Sequence, residues 1–224
     1  VVVELHVIKT DTGSTLQPTV GLFLTTTPPV QRPVTVRLGS KAIDIPAGQS
    51  DYLVTDTYEL PVAVDLLSVY PHAHFLGKEM RAFATLPDGS VKSLLHIEHW
   101  DFHWQQDYRY ASPISLPRGT KVSMRYTFDN SAANKHNPNT PPKRVQAGPK
   151  ATDEMAELGL QLLTQSPADA LRLVQEFDAR YKLANVALGE IRVRAEPDNT
   201  EYVGFLGGAY VEVQRFAEGI ERLE

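Results

Sequence analysis

Alternation of apolar and polar residues dominates the first three quarters of the chain. In VTVRLGSKAIDIPAG (34–48) and GTKVSMRYTFDN (119–130) the side chains change character at every second position, the period of a half-buried strand. Short runs rich in Val, Ile, Thr, Tyr and Phe are separated by KTDTGS, TTPPVQRP, IPAGQSD, LPDGS, LPRGT and DNSAAN, all clusters with turn chemistry. The pattern predicts a mainly β region over 1–163, an antiparallel jelly-roll-like β-sandwich. In TDEMAELGLQLL, Ala156, Leu158, Leu160 and Leu162 fall on one strand face, and Met155, Glu157, Gly159 and Gln161 on the other. HIEHWDFHWQQDYRY (96–110) reads as a core strand that buries Trp100, Phe102 and Trp104. His99 and His103 would then share the opposite face about 13 Å apart, too far to hold one ion.

From residue 167 the apolar period lengthens to that of a helix. Ser166 before Pro167 is a helix start, EPDN at 196–199 is a break, and three helices are expected. This tail resembles a tetratricopeptide repeat. Leu206 and Gly207 fall on the repeat's Leu-Gly pair, Tyr210 on its tyrosine, Phe216 on its second-helix aromatic and Pro197 on a closing proline, while Gly189 and Arg192 depart from the pattern. Residues 167–224 would then be an incomplete repeat segment that needs more chain or a protein partner to cover it. The plainer alternative is a helical cap on the sandwich.

Composition narrows the function classes. A chain of 224 residues can bury a substantial core. The net charge of −5 and the lack of a long Lys/Arg run argue against nucleic acid or an anionic membrane as the main partner. No apolar stretch approaches the roughly 18–20 residues that span a bilayer. The opening VVVELHVIKT has no initiating Met and no basic leader region; it reads as a strand entered part-way, in a mature product or a fragment. With no cysteine, any metal must be held by His, Met, Asp or Glu.

PHAHFLGKEM (71–80) places His72 and His74 one residue apart after the apolar run VAVDLLSVY. On a strand the two would share a face about 6.6 Å apart, close enough to converge on one ion. They could equally be two polar residues at a strand end. His6 and His136 have no partner nearby in sequence and are expected in solvent. Residues 129–155 form a long Asn-, Pro- and Lys-rich segment, unusual inside a compact domain. It ends at Met155, whose side chain is expected to point away from the core.

HAHFLGK followed some way downstream by TDEM resembles the C-terminal domain of the copper type II, ascorbate-dependent monooxygenases, a family that includes peptidylglycine α-hydroxylating monooxygenase and dopamine β-monooxygenase. The similarity covers residues 1–163. By that resemblance His72, His74 and Met155 ligate copper, which binds O2 and hydroxylates an activated C–H bond of a small-molecule or peptide-like substrate. Ascorbate or another reductant regenerates the metal, and the compartment is periplasmic or extracellular. There are departures. The family's second copper domain is not within these residues. Tyr70 stands where the peptidylglycine enzyme has a carboxylate-binding arginine, and Glu157 and Gly159 replace that arginine's partners. A peptidylglycine substrate is therefore not expected. A copper-binding or electron-transfer module without oxygenation, and an interaction scaffold using the helices, are the alternatives.

Overall fold

The structure is a computed structural model that describes residues 15–28 and 31–223. Residues 1–30 and 31–224 form separate compact units. In the first, residues 15–28 carry neither helix nor strand and are exposed. The strand expected at VVVELHVIKT, and His6 within it, lie outside the described residues.

The second unit contains ten strands and three helices. They are β1 (Val34–Gly39), β2 (Asp44–Ile45), β3 (Tyr52–Glu59), β4 (Val64–Ala73), β5 (Gly77–Thr85), β6 (Val91–Ile97), β7 (Tyr108–Leu116), β8 (Lys121–Phe128), β9 (Val145–Gln146), β10 (Ala156–Thr164), α1 (Pro167–Ala195), α2 (Thr200–Glu212) and α3 (Phe216–Leu223). The strands form two four-stranded sheets, β1-β10-β4-β7 and β3-β8-β5-β6, and a two-stranded pair, β2-β9. All the named ladders are antiparallel.

Period-two patterning explains the core. Leu158, Leu160 and Leu162 of β10 have no exposed surface, and Val36 and Leu38 of β1 have almost none. From the other four-stranded sheet, Met80, Met124, Tyr126 and Phe128 join the same cluster. Asp56 on β3 links the two sheets at an edge: its carboxylate accepts the Gly39 amide of β1 at 2.9 Å and pairs with Arg180 of α1. Helix α1 starts where expected, with Ser166 capping the Asp169 amide and Pro167 in the first turn. Its Leu173 is fully buried in the strand core, and its Phe177 meets Tyr58 edge-on at 5.8 Å.

This architecture corrects the expected fold class. Each four-stranded sheet ends in two different edge strands, so both are open, and neither closes into a jelly roll. Among the described residues the chain is a mixed α/β fold of open antiparallel sheets with three helices, not a mainly β jelly-roll-like sandwich. The tetratricopeptide expectation fails as well. The stretch taken for an earlier repeat belongs to one continuous 29-residue helix, α1, so there is no repeated helix pair. The matched positions have a local cause: Leu206 packs where a Cβ on Gly189 would stand 2.9 Å from it, and the Tyr210 hydroxyl donates to Glu190 at 3.0 Å. Both are contacts of an ordinary helical hairpin. Phe216, assigned an interior aromatic position, is 55% exposed.

A third difference concerns 96–110. The chain leaves the sheet after Ile97 because Asp101 closes a turn, its carboxylate accepting the His103 amide at 2.8 Å and its carbonyl the Trp104 amide at 3.0 Å. Trp100 is buried, while Trp104 is 63% exposed.

Because Leu173 is the fully buried link between α1 and the strand core, Leu173→Ala should lower unfolding free energy by about 3 kcal/mol. Urea denaturation followed by far-UV circular dichroism will measure the change, and a value near zero would mean that α1 does not share that core.

Candidate metal centre

His72 and His74 stand where β4 ends, at the edge of a crossing from one four-stranded sheet to the other. On β4, Pro71 and Ala73 are buried, while Tyr70 is exposed and His72 half-buried. Tyr70 and His72 therefore share the outer face of the strand, whereas His74, one residue past its end, is buried. The rings form a row: Tyr70 stacks on His72 with centroids 6.4 Å apart, His72 meets His74 edge-on at 5.3 Å, and His74 meets Phe102 edge-on at 6.0 Å.

Met155 approaches from the neighbouring strand. β10 pairs with β4 so that Ala156 faces Ala73 and Glu157 faces His72. Met155 stands one residue before β10 and His74 one residue after β4, and the amides of both donate to the same carboxylate oxygen of Glu154. Burial alternates accordingly: Glu154 and Ala156 are buried, Met155 and Glu157 half-buried. The backbone of Met155 is thus brought beside that of His74 although some eighty residues separate them in sequence.

Glu154 fixes this meeting. It has no exposed surface, and its carboxylate accepts three backbone amides: those of His74 and Met155 on Oε1, the latter at 2.8 Å, and that of Leu76 on Oε2 at 3.0 Å. Burial pushes its carboxyl up to about 7, against the pull of the three amide bonds. The His74 carbonyl is held in turn by the Trp100 indole at 3.0 Å. Gly77 makes room for that indole, since a Cβ there would stand 2.4 Å from Trp100 Cδ1.

Hydrogen bonds also set the tautomers of the two rings. His74 Nδ1 lies 3.0 Å from the Asp153 carbonyl, an acceptor only, so Nδ1 carries the proton and donates. His72 Nδ1 lies 2.6 Å from Gln105 Oε1. Gln105 Nε2 donates to the Phe102 carbonyl at 2.8 Å, which orients the amide so that its oxygen faces the ring. His72 Nδ1 therefore donates too.

The other histidines do not add to this group. His99, His103 and His136 line a hollow of about 290 Å³ with Trp100 and Phe102, and His96 bonds to Glu79 at 2.9 Å. Among the described residues no three His, Asp or Glu side chains gather as metal ligands. A metal at the His72–His74 pair would therefore draw any third donor from outside these residue types, as a thioether could supply.

Sequence reasoning missed Gln105, Phe102, the Asp153 carbonyl and Glu154. Only Glu154 left a signal: the alternation that turns Ala156 and Leu158 inward also turns Glu154 inward. A carboxylate on a core face needs several donors.

Two substitutions test the framework. Glu154→Gln would turn an NH2 group toward backbone donors and should cost about 1–3 kcal/mol of stability in urea denaturation. Gly77→Ala should push the indole off the His74 carbonyl and shift tryptophan emission to the red; unchanged emission would contradict that contact.

No family model matches the chain, and no curated protein matches it. Among solved structures it is similar to the structure of infectious bursal disease virus Gx strain, at 11% identity and a TM-score of 0.29, over 70% of this chain and 48% of that one. The chain thus spans about half the length of the viral chain, and so weak a likeness identifies neither fold nor function. These findings overturn the resemblance to the copper type II monooxygenases: no model of that family matches, and the open sheets lack the jelly roll that the resemblance implies. The monooxygenase and tetratricopeptide assignments fall with it, and what bears on a metal is the chemistry of these residues alone.

Proposed function

We propose that the chain is a copper-binding module whose ion is held by Nε2 of His72, Nε2 of His74 and the thioether of Met155. Hydroxylation is left out of the reading because it rested on the family resemblance alone. The single observation that carries the reading is the disposition of the two imidazoles. A metal about 2 Å from each ring nitrogen would lie roughly 3 Å from each ring centre, and tetrahedral bonding would then part the centres by roughly 5 Å. The centres are 5.3 Å apart with the rings at 84°.

The surroundings support the same reading. Metal-binding histidines ordinarily donate their second ring N–H to a carbonyl or carboxylate, which fixes the ring and raises its basicity. Both rings do so here, to a main-chain carbonyl and to an oriented amide. Two imidazoles and one thioether favour the soft cuprous ion over zinc or magnesium, which prefer thiolate, imidazole or oxygen sets. Ring packing favours a second, purely structural reading, in which Tyr70, His72, His74 and Phe102 form an aromatic row that covers the sheet end.

Anaerobic cuprous titration against a competing chelator separates the two readings. The full chain should take up one copper. His72→Ala and the volume-conserving Met155→Leu should lose it. Gln105→Leu should weaken it by about 10–100-fold, as removal of an outer partner does. His96→Ala should bind as the parent does. Unchanged uptake in both His72→Ala and Met155→Leu would leave only the aromatic row.

A further inference from the structure

Three cavities meet beneath α1, and Lys41 lines all of them. The hollow beside Met155 measures about 280 Å³, and its lining includes Leu188, Arg192 and Phe205. It adjoins a cleft of about 610 Å³ between β1 and α1, walled by apolar residues that include Leu38, Phe177 and Ile191. The two share Ser40, Lys41, Glu157 and Leu188. Small-molecule sites typically measure about 300–1,000 Å³ and combine apolar walls with a few polar groups.

The charges around the hollow are unequal in commitment. Its two carboxylates are occupied, Glu154 by three backbone amides and Glu157 by Arg37 at 3.3 Å. Its two cations are not matched by acids. Lys41 is half-buried, donates to the neutral Asn185 side chain at 2.6 Å and sits 3.9 Å above the Tyr181 ring. Arg192, also half-buried, lies over Tyr202 and Phe205 at 5.3 and 5.7 Å. Among the described residues neither belongs to an ion pair. Aromatic faces hold both cations in place without neutralising them, and desolvated cations of this kind favour an anion.

We propose that this cleft is a binding site for an amphipathic carboxylate, whose head group lies between Lys41 and Arg192 and whose apolar chain runs along α1 past Leu188. The guanidinium of Arg192 offers a planar fork that fits a carboxylate, and Lys41 supplies a point charge at the junction with the larger cleft. The hydrocarbon occupies the apolar walls and displaces water from them. The hollow shares Met155 with the proposed metal centre, but the carboxylate site does not rest on that reading and its test needs no metal.

Isothermal titration of the metal-stripped full chain with octanoate and with its uncharged analogue octanamide tests the inference. Octanoate should bind saturably at one site, and octanamide about tenfold more weakly, the effect of losing one charge-assisted contact. Lys41→Met and Arg192→Met keep the apolar stems and remove the charges; each should weaken octanoate by about tenfold while leaving octanamide unchanged. Lys41→Arg should restore octanoate binding. Absence of saturable octanoate binding would overturn the inference, as would equal binding of acid and amide. Unchanged octanoate affinity in both methionine variants, with circular dichroism identical to the parent, would overturn it too.

Discussion

A carboxylate with no exposed surface holds three pieces of main chain in one place. Glu154 accepts the amides of His74, Leu76 and Met155, and those amides belong to two events in the fold. His74 and Leu76 lie where the chain passes from β4 to β5, that is, from one four-stranded sheet to the other. Met155 lies where the long segment from β8 re-enters the first sheet as β10. Burying a carboxylate is costly unless its oxygens are satisfied, so the backbone at all three points is constrained by the same requirement. The approach of Met155 to the end of β4 follows from that constraint and from the pairing of β10 with β4. Outer contacts refine it: Trp100 fixes the His74 carbonyl, and the two Nδ1 acceptors set the tautomers.

Local patterning was legible where burial enforces a strict period. The inward row of Ala156, Leu158, Leu160 and Leu162 and the start of α1 at Ser166–Pro167 can both be read from the sequence, because alternation and capping are short-range effects. The class of the fold was not legible. Whether a set of antiparallel strands closes or stays open depends on which strands lie at the edges, and here β1 and β10 pair across more than one hundred residues. No local period carries that information. The 96–110 stretch misled for a different reason: its aromatic content suits a strand, but one aspartate, Asp101, turns the chain out of the sheet.

The candidate site divides in the same way. The His-x-His pair and Met155 were visible as residues with metal-binding chemistry, but the burial of His74 was not foreseen. Their partners were invisible because they are main-chain atoms or lie on a loop whose course no pattern fixes, as with the Asp153 carbonyl and Gln105. The helical tail shows how a motif can mislead. Leu206 and Tyr210 satisfy a repeat signature because this helical hairpin sets an apolar residue opposite a glycine and a ring at the seam. A signature built from such contacts appears without the repeat. The apolar cleft beneath α1 was not foreseen either, since it arises only when a helix is laid over the edge strand β1.

The central claim is that a distant thioether and two neighbouring imidazoles meet around one soft cation. X-ray absorption at the copper edge tests it most directly, on the cuprous-loaded full chain at one equivalent of metal. The account predicts an inner shell of two imidazole nitrogens and one sulfur. An inner shell of nitrogen and oxygen alone, with no sulfur scatterer, would contradict it.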